Sequence, residues 1–132
     1  MNNPASVLIL LFLAVTFLQS GYDKLFYWKG NLEWLKEHFA QTPLRNTVPL
    51  VLVVILILEL VSGVLSVVGI IEILTNSGKT YGFNACIISC ITLILLLLGQ
   101  RIAKDYDGAR TIAIYFIPAI LGVLLLGPSV SV

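Results

Sequence analysis

The chain has 132 residues, 58% of them hydrophobic and only 11% charged, with a mean hydropathy of +1.00 and a formal net charge of +1. A soluble domain carries about 25% charged residues, so the composition is that of an integral membrane protein. The basic residues are dispersed among acids and aromatics, which sets nucleic-acid binding aside. Cys86 and Cys90 fall inside one apolar run, which argues against a disulfide framework or a zinc site.

Residues 5–22, ASVLILLFLAVTFLQSGY, predict a first span. No Lys or Arg precedes it and no small-x-small cleavage site follows it, so it is expected to be retained rather than removed as a signal peptide. Its boundary is expected near Tyr22, after which Phe26, Tyr27 and Trp28 supply aromatics of the kind that settle at the headgroup level. Residues 29–46, KGNLEWLKEHFAQTPLRN, alternate charges with Leu32, Trp34, Leu35 and Phe39. That spacing predicts a short interfacial helix, capped by Asn31 and lying apolar side down on the bilayer. A partly ordered solvated loop is the alternative, because so short a helix is marginal alone.

Residues 48–74, VPLVLVVILILELVSGVLSVVGIIEIL, hold the longest apolar run and predict the second span. Near its centre sits Glu59, roughly 17 Å below Val48 at 1.5 Å of rise per residue. Glu59, Ser62, Gly63 and Ser66 recur at helical spacing, so they share one small, polar face that should pack into a bundle. A carboxylate at this depth costs a few kcal/mol or more, which leaves two readings. In one, the group is a neutral carboxyl hydrogen-bonded to a carbonyl or serine. In the other, it binds a polar ligand headgroup or relays a proton.

Residues 75–80, TNSGKT, read as a tight turn, and span three follows over roughly 81–99. Cys86 and Cys90 lie within it. A redox pair would need exposed, activated thiols, so these two are expected to pack in the core, and a membrane thiol oxidoreductase resembling the vitamin K epoxide reductases is the minor alternative. Residues 98–110, LGQRIAKDYDGAR, are the densest polar stretch, in which Asp105 is expected to pair with Arg101 and Arg110. Span four, 111–127, contains Pro118, which removes a helical hydrogen bond and predicts a kink. Tyr115, Ala119 and Gly122 define its packing face.

The fold expected is therefore an all-α integral membrane protein, a four-helix transmembrane bundle forming a single domain over 1–132, with an interfacial helix between spans one and two. Lys24, Lys29, Lys36, Arg45, Arg101, Lys104 and Arg110 fall on one side of it and Lys79 on the other. The positive-inside rule then places both termini outside the cytoplasm. Antiparallel spans bring Gln19, Lys24, Gln100, Arg101 and Tyr115 to one depth, with Glu59 facing them from deeper in. With Asp105, these residues are the ligand-binding or proton-relay candidates. His38 has no neighbouring ligand in sequence, and no metal, haem, flavin or phosphate-loop motif is present.

Gly21-Tyr22-Asp23-Lys24 at the end of span one, Glu59 followed by Gly63 and Gly69, and Gln100-Arg101 with Asp105-Tyr106 and Gly108-Ala109 before span four together resemble the DoxX family of small four-helix bacterial membrane proteins. The resemblance runs over nearly the whole chain. It implies a protein of the bacterial inner membrane, in a family some of whose members accompany quinone-linked or sulfur-linked oxidoreductase systems. On that basis the leading expectation is a membrane subunit or accessory of a redox complex, docking a quinone or lipid headgroup at Glu59, Arg101 and Asp105. The chain carries no cofactor motif, so resemblance to a redox family does not make it an enzyme by itself. A structural or assembly module and a small proton-coupled transporter are the other classes, although transporter-like repeat halves are not evident.

Overall fold

In the computed structural model, which describes residues 4–43, 46–76 and 78–127, five helices follow one another. They are α1 (Pro4–Phe26), α2 (Trp28–His38), α3 (Val48–Asn76), α4 (Thr80–Ile102) and α5 (Tyr106–Leu126). All but α2 are long and apolar enough to cross a bilayer. α1 packs along α3, α3 along α4 and α4 along α5, while α1 and α5 meet over a shorter stretch. α2 lies against α1 and α3. The chain is thus a four-helix transmembrane bundle with an interfacial helix between the first two spans.

Hydrocarbon supplies no hydrophobic drive between such helices, so close backbone approach and interhelical hydrogen bonds must hold them. The residues turned inward show both. Leu8, Val15, Val53, Ile57, Ile94 and Leu124 face outward, whereas Gly63, Ser62, Ser66, Gly69, Gly82, Ala85, Ser89 and Thr92 are buried. A side chain on Gly69 would come within 2.6 Å of the Gly82 Cα, so α3 and α4 touch backbone to backbone there. Gly21 packs on Leu60 and Gly63 on Leu18, which sets α1 and α3 antiparallel in a fixed register. Larger side chains fill what remains, among them Leu10, Leu13, Phe17, Leu93 and the two free cysteines, both buried.

The buried hydroxyls largely satisfy themselves locally. Ser66 Oγ donates to the Ser62 carbonyl at 2.7 Å and Thr92 Oγ1 to the Ile88 carbonyl at 2.7 Å, while the Ser62 and Thr92 hydroxyls approach to 3.5 Å across the α3–α4 contact. Ser89 Oγ is buried without a hydrogen bond.

Two local expectations are corrected. Asn31 does not cap α2, which begins three residues earlier. Its amide instead donates to the Tyr27 carbonyl at 2.9 Å and the Asp23 carbonyl at 3.2 Å, tying α2 onto the carbonyl end of α1. The first helix also continues past Tyr22 to Phe26, because Asp23, Lys24 and Leu25 are all competent helix residues and no breaker intervenes. That extra turn brings Lys24 into the bundle.

Candidate functional site

The α1–α3 register places Lys24 within a turn of Glu59. Glu59 is 2% exposed and Lys24 19%, and the lysine Nζ lies 2.8 Å from Glu59 Oε1. The same ammonium donates to Ser20 Oγ at 2.7 Å, one helical turn back along α1. By distance Lys24 and Glu59 form an ion pair, but its angle lies outside hydrogen-bond geometry, and Oε1 is buried without a hydrogen bond. The attraction is therefore chiefly Coulombic. In a low-dielectric setting such a pair stands only because each charge offsets the desolvation of the other. Among the described residues, no serine or carbonyl is hydrogen-bonded to Oε1.

Glu59 forms part of the wall of a cavity of about 300 Å³ between α1, α4 and α5. Thr16, Gln19, Ser20 and Asp23 from α1 and Tyr115 from α5 supply its other polar groups, and Val15, Phe17, Leu93, Leu96 and Ile112 its apolar ones. This cavity lies at the α1–α5 seam, where the two spans meet over a shorter stretch than α1–α3, α3–α4 or α4–α5. The Phe12 and Tyr115 rings meet edge to face across that seam, with centroids 6.1 Å apart.

A second cavity, of about 180 Å³, lies beneath α2. Lys24, Asn31, Trp34, His38 and Gln100 line it together with Leu52, Ile55 and Leu95. His38 Nε2 is 3.3 Å from Gln100 Oε1 and 3.5 Å from Asp105 Oδ2. Both neighbours are acceptors, so Nε2 carries the hydrogen. Trp34 stacks on the imidazole at a centroid distance of 4.5 Å.

Asp105 reaches His38 because α4 ends abruptly. Lys104 sits in the left-handed region at φ 60°, its N–H donates to the Arg101 carbonyl, and the Asp105 N–H donates to the Gln100 carbonyl at 2.8 Å. That closure turns the chain so that Asp105 Oδ1 caps α5 by accepting from the Gly108 N–H at 3.0 Å, leaving Oδ2 for His38.

The sequence-derived candidates therefore divide. Glu59, Gln19 and Tyr115 line one cavity, with Lys24 paired to Glu59. Gln100 and Asp105 meet at His38 instead. Arg101 is exposed and lies over the Tyr106 ring at 5.2 Å, and Arg110 pairs with Asp107 at 2.8 Å, so neither forms the expected ion pair with Asp105. His38 was missed because Gln100 stands 62 residues away and Asp105 lies further still along the chain. The only available signal was that both segments lie on one side of the membrane.

The site and fold together define a multi-pass membrane protein built around a buried ion pair. Comparison with family models then gives a match to DoxX over residues 6–98, and the chain belongs to that family. The match takes in Lys24, Ser20 and Glu59 and stops before Asp105 and Tyr115. Comparisons with curated proteins and with solved structures give no match.

Proposed function

We propose that this DoxX-family membrane protein serves as an accessory subunit of a redox complex in the bacterial inner membrane and docks a quinone ring in the Glu59 cavity. The observation that carries this reading is a buried carboxylate, paired but without a hydrogen bond, on the wall of a cavity at the α1–α5 seam. Ligand sites begin at about 300 Å³, so the cavity suits one ring and leaves an isoprenoid tail in the bilayer. The donors Tyr115, Gln19 and Ser20 suit quinone carbonyls, while the Glu59 carboxylate suits the hydroxyl of the reduced form. Electron transfer belongs to the partner, since the family association concerns whole redox systems. Arg101 and Asp105 stand outside this cavity and serve the junction between α4 and α5.

The test is extraction of quinone from protein purified in mild detergent, with mass spectrometry of co-purifying proteins. Enrichment over the bulk lipid, lost on filling the cavity with Thr16→Leu, is the expected result. Recovery of partners with no quinone enrichment would assign the chain to assembly alone. Proton-coupled uptake by the reconstituted protein would assign it to transport.

A further inference from the structure

One face of α1 is unlike the rest of that span. Thr16, Gln19, Ser20 and Asp23 recur at i, i+3, i+4 and i+7, so they form a polar strip along an otherwise apolar helix, and all four line the Glu59 cavity. Glu59 from α3 and Tyr115 from α5 complete the polar wall. A quinone ring offers two carbonyls, so the strip supplies more polar groups than such a ring takes up. It leads outward to Asp23, which is exposed.

Asp23 stands at the edge of the hydrocarbon. From Pro4 to Asp23 the helix rises about 29 Å, close to the thickness of a bilayer's apolar core. Gly21 packs on Leu60 and Gly63 on Leu18, which sets Glu59 level with Tyr22, next to Asp23 in the chain. The route from the membrane surface to Glu59 is therefore short on the α1 side, although α3 begins well outside that level, at Val48. The cavity lining holds two carboxylates and no basic residue. Lys24 offsets the charge of Glu59, whereas Asp23 forms no ion pair among the described residues. A volume of about 300 Å³ has room for about ten waters, and six polar side chains are there to bind them.

We propose that the Glu59 cavity is a water-filled inlet entered past Asp23, whose unpaired carboxylate draws cations in and holds anions off. The cation that concerns Glu59 is the proton, which the water carries between the two carboxylates. The step is proton exchange alone: an O–H bond of a hydronium breaks as one on the Glu59 carboxylate forms, and the reverse returns it. For a hydroquinone in the cavity, a consequence that rests on the quinone reading, the hydroxyl protons exchange with the face of the membrane on which α1 ends.

The experiment places a thiol at the inner end of the strip with Thr16→Cys. Its reaction is followed in sealed membrane vesicles with two impermeant methanethiosulfonates of like size, one bearing an ammonium and one a sulfonate, each rate taken relative to a free thiol in solution. The chain without Thr16→Cys, which keeps the buried Cys86 and Cys90, is the blank. Labelling is expected in the vesicle orientation in which Lys36→Cys on α2 is labelled, and not in the other. Gln19→Cys, nearer the entrance, should react faster than Thr16→Cys, a gradient that a merely unfolded helix does not give. The lipid-facing Leu11→Cys should react with neither reagent. Thr16 lies about 10 Å along the helix from Asp23, and through water a unit charge at that distance changes each rate about twofold, in opposite senses. Asp23→Asn should therefore lower the ammonium-to-sulfonate ratio about fourfold. No labelling of Thr16→Cys, labelling from the opposite face, or a ratio that Asp23→Asn leaves unchanged would overturn the proposal. An added short-chain quinone should slow the labelling of Thr16→Cys. Absence of that protection, with the charge preference intact, would end the quinone reading and leave the inlet standing.

Discussion

At the scale of single residues, the decisive feature is an asymmetry within one ion pair. Glu59 is almost wholly buried, whereas Lys24 keeps some access to the surface and has a long, flexible stem. Removing the lysine strands a carboxylate in apolar surroundings, so Lys24→Gln should cost about 3–5 kcal/mol, the usual penalty for breaking a buried pair from one side. Removing the acid leaves an ammonium that can turn toward the headgroups. Glu59→Gln should therefore lose no more than about 1 kcal/mol, in the range of exposed pairs. The double variant should recover most of the loss, because no charge remains unpaired. Thermal unfolding of the three variants in one detergent tests this ordering, and equal losses in the two single variants would refute it. Under the proposed function, the same Glu59→Gln protein should fold normally yet fail to complement a deletion strain. Full complementation would end the functional reading of Glu59.

At the scale of helices, the bundle depends on where backbones come closest. The Gly69–Gly82 contact has backbone on both sides, so a methyl group at Gly69 cannot be accommodated by rotating a side chain. Gly69→Ala should force α3 and α4 apart and cost about 1–3 kcal/mol, as overpacking does. Gly30 lies within α2 with nothing near enough to obstruct a methyl group. Gly30→Ala should be neutral or stabilise by up to about 1 kcal/mol, since alanine restricts the unfolded chain and favours helix. Helical periodicity made the inward face of α3 legible in advance: Glu59, Ser62, Gly63 and Ser66 are all buried. It could not reveal the partner of Glu59, because span one was read as ending at Tyr22 on the strength of polar residues that in fact continue the helix. Nor could it reveal the His38–Asp105 contact, which depends on a left-handed turn at Lys104, a residue with no glycine-like signature.

At the scale of the whole molecule, the number of spans was legible because each is a long apolar run, and the orientation proposed for them rests on charge. The structure changes how that charge is counted. Lys24 is engaged with Glu59 inside the bundle, so it acts as a site residue and is a poor topology signal. The loops still carry Lys29, Lys36, Arg45, Arg101, Lys104 and Arg110 on one side against Lys79 on the other. Among these, Arg101 is turned onto Tyr106, Arg110 is paired with Asp107 at the surface, and Lys104 is exposed at the turn. None of the three is buried as part of a site, so each remains available to hold its loop on the cytoplasmic side. Both termini are therefore expected in the periplasm, and a reporter active only in the cytoplasm should be silent when fused after Val132. The same reporter inserted in the loop between α2 and α3, on the charge-rich side, should be active. Activity at the C-terminus with silence in that loop would invert the molecule, placing the α2 cavity at the periplasmic headgroups and the mouth of the Lys24–Glu59 site with it.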